Sequence, residues 1–487
     1  MPVLGATCKA WYIRHSPHRS QCRYARPLIL VNDTPRYASI STGNLEANLA
    51  TLSRRQLNVS QKMRVNAAAL ESNRLVRAEW QEKLASYDHD NGLGSELEEF
   101  VSGFRSGKPC RVVERFEGAF NYCFRLRFDM SDHDDWLLRF PIPGDVMYPT
   151  EKVDQEVAVM KFIKDRTRIP IPKVIASGRT EGRFAGLGPF IIMEFVEGER
   201  LDEALYQNDK IKPGIGQSTL DFIYKQMAQI YLELFEHDFD QIGGLSMSLN
   251  SRSWHVKSGP LTLKTNEGQR LTGLHLYDNR EPSSTTTAYL NKLVDQHTRL
   301  LCENPESVSD DVECQEEYRC LQTIKLLTKQ LASSVDRNGP FKLFLDDLRF
   351  GNILVDSKTF EIKALIDWEF CYAAPRQFLN APPPWLIPNP DPWDWTAEER
   401  EEYKVHFTNF MKVLQDEESL LGKDHSFSAR MQIFLENGTF WYLQALREPL
   451  CCLELMESWS AEVGKPLETP VNMEEFVARR FETPTLE

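Results

Sequence analysis

From Cys110 the apolar residues of this chain recur at every second position, and beyond about residue 200 they recur at helical spacing; that change of period limits what the chain can fold into. "CRVVERFEGAFNYCFRLRFDM" and "DWLLRFPI", joined by the turn segment "SDHDD", predict antiparallel strands. "PTEKVDQEVAVMKFIKDRT" follows with Val153, Val157 and Met160 on one helical face. "KVIASG" and "PFIIMEFVEG" then give two further strands around the glycine-rich connection "RTEGRFAGLG". The order strand, strand, helix, strand, strand predicts a small sheet with one helix packed on it. Later stretches such as "STLDFIYKQMAQIYLELFEHDF", "TTAYLNKLVDQHTRLLCE" and "CQEEYRCLQTIKLLTKQLASS" are helical. The expected fold class is therefore α+β in two lobes, a small antiparallel-sheet lobe over 95–197 and a larger, mainly helical lobe over 198–487. Residues 1–94 read as an N-terminal extension, partly disordered, with a helix near 61–87, and the folded part is expected to begin near 95. There "SELEEFVSGF" offers Ser95 as N-cap and Glu98 as its capping-box partner.

Composition narrows the function classes. Of the 487 residues 41% are hydrophobic, enough for a sizeable core, and the formal charge of -14 opposes general nucleic-acid binding because a phosphate backbone repels an acidic surface. The ten cysteines show no CxxC pair and the ten histidines are scattered, which points away from a dedicated transition-metal site; Cys451 and Cys452 read as helix packing. No apolar run of about eighteen residues exists, so no membrane span is expected. The expected compartment is the cytoplasm. Lys9, Arg14, Arg19, Arg23, Arg26 and Arg36 against Asp33 leave mitochondrial targeting as the alternative, although Pro17 and Pro27 interrupt that segment.

The chemistry concentrates in "FLDDLRFGNILVDSKTFEIKALIDWEF", residues 344–370. Asp347 and Asn352 stand five apart on a loop, and Asp367 ends a predicted hairpin formed by "NILVD" and "EIKALID" around "SKTF". Phosphoryl transfer needs a carboxylate to orient the attacking hydroxyl and accept its proton, and oxygen ligands to hold Mg²⁺ against nucleotide phosphates. Asp347 suits the first task, Asn352 and Asp367 the second, and Arg349 would put a fixed positive charge near the transferred group. Asp346 is given no role, since adjacent side chains in an extended segment point apart. The structural alternative is that Asp347 and Asp367 cap turns.

These motifs resemble the aminoglycoside phosphotransferase and choline-kinase-like branch of the protein-kinase-like fold, especially its fungal phosphotransferase members. "DDLRFGNILVD" is similar to that family's catalytic loop, "ALIDWEF" to its metal-binding segment and "APPPWLI" to its proline-tryptophan stretch. "RFEGAFNYCFRLRF", "WLLRFPI", "EVAVMKFIK", "IPIPKVIASG" and "FIIMEFVEG" fall in the family's order, so the resemblance covers roughly 100–400. It implies ATP and Mg²⁺ as cofactors and a small-molecule hydroxyl as acceptor. It further implies that Gly118 and Asn121 lie near the phosphates, that Arg139 and Glu156 form the pair gripping them, and that Met193, Glu194 and Val196 belong to the hinge beside adenine. The chain departs from the pattern in Arg139 for lysine, Leu345 for histidine and Phe350 for proline, which keeps open a nucleotide-binding module without transfer activity. A protein kinase is disfavoured, because "DWEF" replaces DFG and no A-P-E segment follows. Trp385, Trp393, Trp395, Trp441 and Tyr442 are either aromatic walls for a cationic substrate or packing. The oligomeric state stays open.

Overall fold

The computed structural model describes residues 66–87, 96–128, 135–181, 184, 186–207, 210–248, 253–277, 281–332 and 336–481. The basic segment 9–36 and the N-cap candidate Ser95 lie outside them. The expected first strand is two, β1 (Cys110–Glu117) and β2 (Asn121–Phe128), because the chain turns over Gly118–Phe120. With β3 (Trp136–Pro141), β4 (Val174–Arg179) and β5 (Pro189–Glu194) they form one sheet in the order β1-β2-β3-β5-β4, antiparallel throughout. The helix α3 (Pro149–Arg166) crosses between β3 and β4.

The period-two pattern sorts this sheet into two faces. Register places Cys123 opposite Arg139, Arg139 opposite Ile191 and Leu137 opposite Met193. This face packs on Val153, Val157 and Met160 of α3. The residues between them, Phe124, Leu126, Leu138, Phe140 and Ile192, form a second core with Trp80 and Leu84 of α1 (Ala67–Tyr87) and Leu97 and Val101 of α2 (Glu96–Gly103). A sheet apolar on both faces needs cover on both, and α1 supplies it, so the folded part already includes residue 66. Trp80 Nε1 donates to Leu187 O at 2.9 Å, Arg77 pairs with Glu117 and Asp145, and Asn73 Nδ2 donates to Arg270 O at 2.9 Å. Glu98 accepts from the backbone N–H of Val112 at 2.7 Å, fixing α2 to β1.

The larger lobe contains β6 (Glu199–Arg200), α4 (Gln217–Phe235), the hairpin of β7 (Gly244–Met247) and β8 (Trp254–Ser258), α5 (Leu263–Thr272), α6 (Thr286–Glu303) and α7 (Asp311–Ala332). After them come β9 (Lys342–Leu345), β10 (Ile353–Val355), β11 (Ile362–Leu365) and β12 (Cys371–Ala374). The chain closes with α8 (Ala397–Leu420), α9 (Ser426–Glu436), α10 (Thr439–Arg447), α11 (Cys452–Val463) and α12 (Met473–Phe481). The expected hairpin is the β10–β11 pair. The β7–β8 and β9–β12 ladders were not expected, since strands of four or five residues are too short to display a period. No helix among the described residues is long and apolar enough to cross a membrane.

His297 shows how tightly the helical lobe is packed. It is buried in α6, and its Nε2 lies 3.0 Å from Leu446 O at the end of α10; a carbonyl only accepts, so that nitrogen carries the hydrogen. Burial pushes the imidazole down to about 4, against a smaller upward pull from that carbonyl. The unfolded value is about 6.5, so between about 6.5 and about 4 the unfolded chain takes up a proton that the folded one refuses. Stability falls with pH through that window, by up to about 1.4 kcal/mol per unit. Urea midpoints at several pH values check this: His297→Gln flattens the acid limb, and parallel slopes for the two proteins would contradict the account.

Candidate active site

Two ladders clamp the loops that carry the candidate residues. β9 pairs with β12, ending at Leu345 opposite Cys371, and β10 pairs with β11, beginning at Ile353 opposite Leu365. The chain pieces 346–352 and 366–370 are thus held at both ends and face each other, joined by Ile366 N–H donating to Asn352 O at 2.9 Å. Trp368 is fully buried and its Nε1 donates to Leu365 O at 2.9 Å, which anchors the second piece. Asp367 and Phe370 have φ of 64° and 58°. Left-handed backbone is uncommon outside glycine and is kept at functional positions where surrounding structure enforces it.

Asn352 Nδ2 donates to Asp347 O at 2.7 Å and lies 3.4 Å from Asp347 Oδ2. Arg349 Nε stands 3.5 Å from Asp347 Oδ1. Burial pushes the Asp347 carboxyl up to about 7; the Arg349 charge opposes this, and the Asp367 and Glu369 carboxylates add to it. Asp367 receives Arg139 Nη2 on Oδ1 at 2.5 Å. Its carboxyl is also raised, by burial first and then by Glu369. Among the described residues no donor meets Asp367 Oδ2 or Asn352 Oδ1, so the paired loops offer one carboxylate oxygen and one amide oxygen, with Asp347 as a second carboxylate on the same loops. That donor set fits Mg²⁺.

Behind these loops lies a buried charge network that joins the lobes. Because Arg139 shares a sheet face with Leu137, it points toward α3, where its Nη1 meets Glu156 Oε1 at 2.7 Å. Its Nη2 also meets Glu369 Oε2 at 2.8 Å. Lys152, one turn before Glu156, pairs with Glu369, donates to Asn121 Oδ1 at 2.9 Å and lies 3.6 Å from Glu156 Oε2. Asn121 Nδ2 in turn donates to Glu369 Oε2 at 2.9 Å. Burial would raise Glu369, but Lys152 and Arg139 outweigh it and hold the carboxyl low, whereas burial prevails at Glu156, which is raised. Sequence reasoning missed Lys152 and Glu369. The available signals were the i,i+4 spacing of Lys152 and Glu156 and the second acid in "DWEF". Glu156, Asp347, Asp367 and Glu369 together outnumber Arg139, Lys152 and Arg349 by one charge, a balance that favours an added cation.

The remaining candidates sit at different removes. Gly118 closes the β1–β2 turn by donating to Asn121 O at 2.7 Å, and the next-but-one residue, Phe120, touches Phe370 edge-on at 5.5 Å, so the turn lies over the 366–370 piece. Met193, Glu194 and Val196 lie where the sheet passes into the larger lobe. Met193 is buried in the core, Val196 packs against it, and Glu194 Oε2 accepts from Lys173 N–H at 3.1 Å. A cavity of about 120 Å³ opens beside Asp347, bordered by Trp385, Trp393, Asp391, Lys264 and Glu448. Asp346 also borders it, but its oxygens are engaged by Arg447 Nη1 and Leu263 N–H, each at 3.0 Å. Trp395, Trp441 and Tyr442 pack among the helices instead.

The curated relatives match in part only. IBR3 of Arabidopsis thaliana, assigned as an acyl-CoA dehydrogenase, is 29% identical over 159 residues, 32% of this chain and 18% of that protein. Altered inheritance of mitochondria protein 9, mitochondrial, of Candida glabrata is 25% identical over 147 residues, 28% of this chain and 23% of that protein. The match thus spans less than a quarter of either relative. Among solved structures, a Ralstonia eutropha protein assigned as an aminoglycoside phosphotransferase is 15% identical, with 79% of this chain and 94% of that one covered and a TM-score of 0.43. The profile of the phosphotransferase enzyme family matches residues 124–378, just over half of the chain and the part that holds most of β2, all of β3–β5, α3 and both clamped loops. The chain therefore belongs to the phosphotransferase enzyme family.

Proposed function

We propose that the chain moves the γ-phosphoryl group of ATP to a hydroxyl of a small molecule. The observation that carries this reading is that the loop bearing Asp347 and Asn352 is tied to the loop bearing Asp367 by the Ile366–Asn352 backbone bond, with a cavity opening beside Asp347. The Asp347 carboxylate orients the acceptor hydroxyl and takes its proton, and a value near 7 suits that exchange at neutral pH. Asn352 and Asp367 would hold Mg²⁺, which when bound neutralises charge on the phosphates. Arg349, beside Asp347, adds a fixed positive charge. Arg139 and Glu156 would steady the nucleotide phosphates from the sheet side, and the backbone near Met193, Glu194 and Val196 would meet adenine. The small cavity favours a small acceptor over a folded protein.

One observation favours a second reading, nucleotide binding without transfer. Both terminal nitrogens of Arg139 are taken by Glu156, Asp367 and Glu369, so gripping phosphate requires that some of these contacts be given up. Thermal shift with ATP and Mg²⁺ comes first, because a ligand bound only by the folded state raises its apparent stability. Tm is expected to rise with ATP and Mg²⁺ together. ATP turnover across a panel of hydroxyl compounds then separates the readings: stimulation by one class supports transfer, whereas binding without stimulated turnover supports the second. No shift at saturating nucleotide overturns both. In the same reading the protein works in the cytoplasm, or in the mitochondrion if the basic residues between 9 and 36 act as a targeting segment; fractionation of cells expressing the tagged chain decides.

A further inference from the structure

Outside the loops just described, α7 and α11 bring together three potential metal ligands. Cys320 Sγ lies 3.3 Å from Cys452 Sγ, and Cys452 Sγ lies 3.7 Å from Glu317 Oε2. Each pair of ligand atoms in this trio is within 4.8 Å. Glu317 and Cys320 are one turn apart on α7, so they share a face, while Cys452 is the first residue of α11 and is separated from Cys320 by 132 positions. The two thiols are buried and Glu317 is half-buried. We propose that Glu317, Cys320 and Cys452 form a binding site for a zinc-like divalent cation, which ties α7 to α11.

Geometry supports a cation over a simple thiol contact. A tetrahedral zinc site with Zn–S near 2.3 Å and Zn–O near 2.1 Å sets its sulfurs about 3.8 Å apart and sulfur from oxygen about 3.6 Å. The protein therefore needs to open the sulfur pair by only about 0.5 Å, while the Glu317 oxygen already stands at the right distance from the Cys452 sulfur and within 4.8 Å of the Cys320 sulfur. Electrostatics points the same way. Burial pushes the Glu317 carboxyl up to about 8, Glu454, Glu313 and Glu316 add to the shift, and the hydrogen bond from the Cys452 thiol opposes it. The Cys452 thiol is raised by its hydrogen bond with Cys320 and then by burial, and the Cys320 thiol is raised by burial against the pull of Cys452. A half-buried carboxyl with three other acids acting on it is costly to ionise. A divalent ion supplies the missing charge.

A disulfide is the obvious rival, since the sulfurs lie 3.3 Å apart and a bond would bring them to about 2.05 Å. It would leave Glu317 without a partner, whereas a cation uses all three groups. Binding is a proton exchange: one M²⁺ displaces one proton from each thiol and one from the carboxyl, three in all when the carboxyl starts protonated, and forms two M–S bonds and one M–O bond. The fourth position is left to water, on the side where Glu317 reaches solvent.

Cobalt(II) is the probe, because thiolate ligation gives an intense charge-transfer band that oxygen ligands of the Mg²⁺ type cannot give. Reduced, metal-stripped full-length protein titrated with Co²⁺ is expected to develop this band to one equivalent, and Zn²⁺ is expected to abolish it by displacement. The band is lost in Cys452→Ser, and the apparent affinity falls by about tenfold or more in Glu317→Gln. Cys302→Ser, which removes an exposed thiol outside the trio, leaves the titration unchanged. Circular dichroism identifies a misfolded serine variant; the half-buried Glu317→Gln then carries the test. No band in the parent protein, a band that survives Cys452→Ser, or wild-type affinity in Glu317→Gln overturns the proposal. So does a protein that emerges with Cys320 and Cys452 disulfide-linked by peptide mapping and binds no Co²⁺ after reduction.

Discussion

Asp347→Asn is expected to lower kcat by about 10²–10⁴-fold while nucleotide and Mg²⁺ still bind, because asparagine can position an acceptor hydroxyl but cannot take its proton. The contrast between lost turnover and retained thermal shift is the measurement. Equal loss of both would mean that the residue supports the fold rather than the transfer. The parent enzyme should show kcat/KM falling about tenfold per unit below pH 7, since the carboxyl pushed up to about 7 by burial is protonated there. The same shift has a stability consequence of known sign. Folded Asp347 binds its proton more tightly than an unfolded aspartate near 3.9, so its stabilising contribution is complete below about 3.9 and is lost as pH rises through about 7. The asparagine variant should therefore resist denaturant better than the parent above pH 7, with the gap closing toward pH 4. A functional residue that costs stability where it works is an ordinary trade.

Lys152→Met is expected to destabilise the protein by about 3–5 kcal/mol, since it removes one cation from a fully buried network and leaves the acids under-compensated. Glu369 loses one of its two cationic partners and Asn121 loses a donor, while Arg139 alone must serve Glu156, Asp367 and Glu369. The loss should shrink at low pH, where Glu156, already raised by burial, takes a proton. Denaturant midpoints at pH 5 and pH 8 measure both effects. Adding Glu369→Leu to Lys152→Met tests the cause: a buried pair replaced on both sides by apolar groups is often near neutral, so the double variant should recover much of the stability. A single variant within about 1 kcal/mol of the parent would show that the network carries little of the interlobe stability. The methionine itself keeps most of the lysine's apolar bulk, so lost packing is a minor part of the effect.

Much of the architecture was legible because two local periods write it. Alternation over β1–β5 sorts Phe124, Leu138 and Ile192 from Cys123, Leu137 and Met193, and helical spacing puts Val153, Val157 and Met160 on the face that covers the second set. The β10–β11 hairpin and the loop bearing Asp347 and Asn352 were visible for the same reason: their turn residues and short apolar runs lie within a few positions of one another. The four-residue ladder β9–β12 was not, although it clamps that loop, because its two strands are short and their pairing is set by what each packs against.

By itself, then, the sequence determined the two lobes, the sheet with its covering helix, and the loop where oxygen-bearing side chains collect. Tertiary structure alone decided that α1 closes the sheet's outer face, that Lys152 and Glu369 join Arg139 in one buried network, and that Cys452 meets Glu317 and Cys320. The physical reason is range. A backbone period is set by neighbours in the chain, whereas a buried charge takes whatever partner the fold brings within about 3 Å, and the partners of Arg139 at Asp367 and Glu369 lie 228 and 230 positions away.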